Sequence, residues 1–115
     1  MGDAALYSLK HCVSHLCKGG LVKKARDLMF RFDYLLGRAR LGPPHALVVD
    51  GNRILKYKKN KAFELLHSAI KLSQPALQRD SSQLSVQVSG RLLPHLHHHE
   101  IKQLVKTIRN REGWH

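Results

Sequence analysis

The chain has 115 residues, 43% of them hydrophobic, and carries 20 Lys and Arg against 8 Asp and Glu, a formal net charge of +12. That length suits one domain with a core of its own, and no apolar run approaches the roughly 20 residues a membrane span needs. The basic excess points to nucleic acid, anionic lipid or an acidic protein as partner, while Cys12 and Cys17 alone are too few for a disulfide framework.

The N-terminus, MGDAALYSLK, has no basic start leading into an apolar segment, so no secretory signal is expected. Leu6 stands where the myristoylation pattern wants Ser or Thr. The expected setting is reducing and cytoplasmic, with no membrane anchor. Ala5, Leu9, Cys12, Val13 and Leu16 then recur at helical spacing, and Gly19-Gly20 offers a stop. Leu21, Val22, Ala25, Leu28, Met29 and Phe32 form a second pattern. A third, short pattern follows Asp33 through Leu35, Leu36 and Ala39. Pro43 and Pro44 suit the start of a fourth short segment, HALVVDGNRI, because a first helical turn does not need their N–H groups. Asp50-Gly51 within it is a turn signal, of the kind found in hairpins, although only a weak apolar run follows.

The longest pattern runs from about Lys61 to Gln78, and Pro75 inside it predicts a kink or an early end near Ser73. RDSSQLSVQVSGRL, residues 79–92, alternates like a strand at Leu84, Val86 and Val88, yet Asp80 and Gln83 form a capping-box pattern. A lone strand among helices would leave its backbone unpaired, so helix is the reading, with Leu84, Val88 and Leu92 facing the core. Ile101, Leu104, Val105 and Ile108 mark a last helix, with Lys102, Lys106 and Arg109 opposite. The sum is an all-α fold: six or seven short helices in an irregular helical-repeat or superhelical array. It forms one helical domain over residues 1–115, whose last residues, about 111–115, start a linker.

Chemistry-bearing motifs are few. His95, His98, His99 and Glu100 are ligand types for zinc or nickel, but consecutive histidines cannot all face one ion, and a solvated turn is the simpler reading. His11 and His15 share a helical face near Cys12 and Cys17 without the second ligating segment that a tetrahedral site draws on. Asp50 and Glu64 read as isolated carboxylates, and no phosphate-cradling loop occurs. No catalytic, metal or cofactor site is expected, and the chain is not read as an enzyme. Lys56, Tyr57, Lys58, Lys59 and Lys61 interleave an aromatic ring with cations, a pattern that can stack a base and hold phosphates, or simply be a solvated loop. Gly37 to Arg40, GRAR, and the basic face of the last helix extend the same inventory.

The order of the segments YSLKHCVSHLCKGG, ARDLMFRFDYLLGRAR, ALVVD and LLHSAIKLSQPALQRDSSQLSVQVSGRLLPH resembles one family. It is similar to the helical domain of STAND-class signalling ATPases of the apoptotic protease-activating-factor type, which lies between an NB-ARC or NACHT module and a WD-repeat propeller. The most specific stretch is Leu72 to Leu92, and Trp114 stands where the family has a Trp-containing linker. The resemblance implies a mechanical role: a helical arm and scaffold for protein–protein interaction that couples the ATPase and WD-repeat modules of the same or a related chain. Neither module lies within these residues, so nucleotide binding is carried over to none of them. The competing reading is a basic nucleic-acid-binding helical module using Lys56, Tyr57, Lys58, Lys59 and Lys61.

Overall fold

A computed structural model describes residues 11–112; the early repeat positions Ala5 and Leu9 and the linker residue Trp114 lie outside them. The described residues are helical nearly throughout and contain no strand. The first helix, α1, covers residues 11–18 and closes as the double glycine predicts. Leu21 N–H donates to the Leu16 carbonyl at 2.8 Å and Gly20 N–H to Cys17 at 3.1 Å, with Gly20 at φ 78°. This is the Schellman arrangement, which needs a left-handed residue and so favours glycine.

Helix α2 (Val22–Met29) buries Ala25 and Met29, one turn apart. An extended Arg31 separates it from α3 (Phe32–Leu41), whose first turn holds Asp33. A carboxylate there complements the positive end of the helix dipole, and Asp33 Oδ1 accepts the Tyr34 N–H at 2.8 Å. Gly42, at φ 52°, ends α3. The carbonyls of Pro43 and Pro44 then receive the first amides of α4 (His45–Tyr57).

Helix α4 runs on to Tyr57, past the end of the short segment HALVVDGNRI, and the Asp50-Gly51 turn signal within it is not used. Both residues lie buried in mid-helix. The turn propensity of the dipeptide is overridden by tertiary contacts of its two side-chain positions, set out below.

After Lys58 and Lys59, Asn60 caps α5 (Lys61–Leu72), its side-chain oxygen accepting the Phe63 N–H at 3.0 Å. Replacing Asn60 by Ala is expected to cost about 1 kcal/mol of folding free energy by exposing that amide's need for a partner, measurable as a lower urea midpoint at unchanged m-value. The long apolar pattern then breaks where Pro75 requires it. Helix α5 ends at Leu72, Ser73 bonds back to Ala69, and α6 (Gln74–Arg79) begins with Pro75 in its first turn, where no amide is missed. The break is why the described residues hold eight α-helices and not six or seven.

Asp80 is extended and its carboxylate accepts the Ser82 N–H at 3.0 Å, opening a 3-10 turn (Ser81–Gln83) that feeds α7 (Leu84–Leu92). The stretch 79–92 is therefore helical, capped by Asp80, with Leu84, Val88 and Leu92 fully buried. The reciprocal capping box does not form: the Asp80 side chain caps Ser82, the Gln83 N–H goes to the Asp80 carbonyl, and the Asp80 N–H goes to the Ala76 carbonyl. A second 3-10 turn (Leu93–His95) absorbs Pro94, and α8 (His99–Glu112) follows.

Helix α5 is the centre of the packing, touching α4, α6, α7 and α8. Phe63, Leu66 and Ile70 on it share one core with Leu47 and Ile54 of α4, Leu84 and Leu92 of α7, and Ile101 and Ile108 of α8. Each such side chain contributes about 1.5–3 kcal/mol by leaving water. Helix α8 also returns to touch α3. These contacts fit the all-α class expected from the sequence without showing a repeat-like, superhelical array, in which each unit contacts only its neighbours.

Candidate functional site

Three features gather polar side chains. The first joins α3 to α4. Tyr34 Oη donates to Asp50 Oδ2 at 2.9 Å, and Arg38 Nε donates to the same oxygen at 3.1 Å. The Arg38 and Asp50 side chains are 9% and 6% exposed. Burial, then the Asp50 charge and hydrogen bond, push the Tyr34 hydroxyl well above its ordinary range, so it remains a donor. Asp50 is thus not the isolated carboxylate read from the sequence. Its lone pairs are occupied by two donors on a neighbouring helix, and the set closes on itself as a brace. Arg38, counted in the sequence with the surface basic residues of GRAR, belongs inside this brace.

The second feature joins α4 to α5. His67 is buried, lies parallel to the Phe63 ring with centroids 6.3 Å apart, and sets Nε2 3.1 Å from the Val48 carbonyl. Its ring runs against the bare α-carbon of Gly51, leaving no space for a side chain there. Burial, aided by the Lys71 charge and opposed by the Val48 bond, holds the imidazole below its ordinary 6.5. The neutral ring therefore donates Nε2–H to Val48. The unfolded chain takes up this proton at higher pH than the folded one, so acidification below 6.5 removes stability until the lowered folded value is passed. An NMR titration of the His67 ring is expected to give a midpoint below 6.5, and the melting temperature to fall across the same interval.

The third feature is a groove where α3, α8 and the turn entering α7 meet. One cavity of about 260 Å³ is lined by Phe32, Leu36, Arg40, Ser82, Ser85 and Arg111. A second, of about 370 Å³, adjoins it through Phe32 and Arg111 and adds Phe30, Arg31, Asp33 and Thr107. The Arg111 guanidinium stands 5.7 Å over the Phe32 ring, within cation–π range. Arg31 and Asp33 pair at 2.9 Å on the exposed lip.

The residues singled out in the sequence lie elsewhere. Lys56 and Tyr57 end α4, Lys58 and Lys59 form the connection, and Lys61 opens α5. All five are exposed, and Tyr57 shows 56% of its surface. Lys102, Lys106 and Arg109 are exposed on α8 as expected. His95 ends the second 3-10 turn, His97 and His98 follow with ring centroids 4.4 Å apart, and His99 and Glu100 begin α8. His11 and His15 lie 6.2 Å apart by centroid on α1, the helix that also carries the buried Cys17 and half-buried Cys12. Burial, reinforced by Asp50 and opposed by Arg53, raises the Cys17 thiol and keeps it protonated. Among the described residues no group of three or more His, Cys, Asp and Glu is placed to hold a metal ion. Nor is any described helix long and apolar enough to cross a membrane.

The brace, the Gly51–His67 contact and the groove were missed in the sequence. Tyr34 and Arg38 at i and i+4 on a helix shared with Asp33 were a weak signal. Nothing local links them to Asp50. No protein-family model, curated protein or solved structure matches this chain.

Proposed function

We propose that the chain is a non-catalytic helical linker and protein-interaction domain of a cytoplasmic STAND-type signalling ATPase, coupling a nucleotide-binding module to a WD-repeat sensor. The observation that carries the reading is the pair of internal ties, Tyr34–Asp50–Arg38 between α3 and α4 and His67–Val48 between α4 and α5. An arm transmits a domain movement only if its helices keep their relative positions, since packed interfaces shift between discrete arrangements and do not deform smoothly. The stretch that most resembles the family supports the same role: Asp80 caps, while Leu84, Val88 and Leu92 pack. The protein partners are then the ATPase and propeller modules. Calorimetry with ATP and ADP tests the reading, because micromolar binding to this chain contradicts it. Sequencing the transcript on both sides is the second test, a Walker motif upstream and WD repeats downstream being the expected result.

The alternative, a basic nucleic-acid-binding module, is favoured by one observation: Tyr57 is exposed among the exposed Lys56, Lys58, Lys59 and Lys61. Bases stack on such a ring while lysines neutralise phosphates. It requires binding to single-stranded RNA or DNA that weakens steeply with salt, and the absence of binding at low salt removes it.

A further inference from the structure

We propose that the groove between α3, α8 and the turn entering α7 binds a phosphate monoester carried on a peptide. The inference stands independently of the linker role. Arg40 ends α3 and Arg111 ends α8, and both line the 260 Å³ cavity. Neither guanidinium meets a carboxylate among the described side chains, which end at Arg111. Ser85 lines the same cavity; it is only 5% exposed, yet its hydroxyl makes no hydrogen bond within the described residues. That hydroxyl is not sealed from solvent, so it is a donor that an anion entering the cavity can reach. Ser82 differs: its hydroxyl donates to Asp80 Oδ1 at 2.7 Å and offers the ligand only a lone pair. The Asp80 carboxylate, beside Ser82, is engaged by the Ser82 hydroxyl and amide.

The charge count selects the anion. Two guanidiniums match a phosphate monoester, which carries about −1.5 to −2 at neutral pH and has three terminal oxygens for forked donors. A carboxylate carries one charge and leaves one arginine unmatched. A phosphodiester also carries one, and a nucleic acid would want a free ring face for its bases. Phe32 cannot supply it, being buried beneath Arg111. The adjoining 370 Å³ cleft, walled by Phe30 and Thr107, runs on from the shared Arg111 and gives room for the residues flanking a phosphorylated side chain. The Arg31–Asp33 pair at its lip offers either charge to them.

The experiment uses the 115-residue chain with N-acetyl-phosphoserine N-methylamide and a degenerate phosphoserine peptide mixture, followed by NMR shift mapping and calorimetry. Shifts are expected at Ser82, Ser85 and the side chains of Arg40 and Arg111. Arg40→Gln and Arg111→Gln should each weaken the peptide at least tenfold, and Ser85→Ala a few-fold, with circular dichroism unchanged. Lys58→Gln/Lys59→Gln removes more charge from a remote loop and should leave affinity unaltered. Equal loss in that double variant, equal binding of the unphosphorylated or glutamate-substituted mixture, or the absence of binding each overturns the proposal. Tighter competition by single-stranded RNA for the same resonances would overturn the peptide assignment.

Discussion

Replacing Gly51 by alanine is expected to destabilise the protein by about 2 kcal/mol, against the usual gain of about 1 kcal/mol for Gly to Ala inside a helix. A β-carbon at position 51 would stand 2.8 Å from His67 Nε2 and closer still to Cδ2. The ring has nowhere to go. It is buried, rests on Phe63, and is tethered to Val48. Overpacking of this kind costs about 1–3 kcal/mol, and displacing the ring leaves its N–H without a partner for about 1–3 kcal/mol more. The sum exceeds the propensity gain. Urea denaturation measures the loss, and Gly51→Ala combined with His67→Ala identifies its cause. Removing the ring makes room for the new methyl, so the double variant should be more stable than the two single losses added together. Strict additivity would mean that the contact does not decide the identity of residue 51. Gly90 provides the comparison: a β-carbon there meets nothing, and alanine should stabilise α7.

The same contact explains where sequence reading worked. Apolar spacing carried the fold because each helix buries a stripe set by its own residues. Leu84, Val88 and Leu92 on α7 and Ile101, Leu104, Val105 and Ile108 on α8 were all placed inward correctly. Pro75 was read correctly for a related reason, since its missing amide is a local property. Asp50-Gly51 carries a turn signal that the fold does not use, because the role of the pair is long-range. The dipeptide favours turns on its own, but Tyr34 is 16 positions away and the His67–Val48 bond spans 19. A one-dimensional pattern holds no record of either partner. The groove was hidden in the same way: Arg40, Ser85 and Arg111 come from three helices, and charge counting placed the basic chemistry in the Lys56–Lys61 loop because there it is contiguous.

The largest expected effect belongs to Asp50. Asp50→Ala should cost about 3–5 kcal/mol, the usual consequence of stranding a buried charge by removing its partner. Arg38 would be left without its counter-charge, on a side chain only 9% exposed. It must either stay unpaired beside the Tyr34 hydroxyl or swing outward and pull α3 from α4. In a domain whose total stability is about 5–15 kcal/mol, either outcome is a large fraction. The brace itself is a different matter. Desolvating two ions offsets much of their attraction, and apolar residues of similar volume often replace a buried pair without loss. Tyr34→Phe/Arg38→Met/Asp50→Leu is therefore expected to fold with stability within about 1–2 kcal/mol of the parent, although Asp50→Ala alone is severely impaired. Chemical denaturation of both variants checks the pair. If the triple variant is as unstable as Asp50→Ala, the three side chains supply net stability. If it is stable, what the polar set contributes is position: a forked guanidinium and a phenol on one carboxylate admit one register of α3 against α4, which an apolar contact does not enforce. Hydrogen exchange in α3 and α4 distinguishes these, since a loss of register with retained stability appears as faster exchange confined to those two helices.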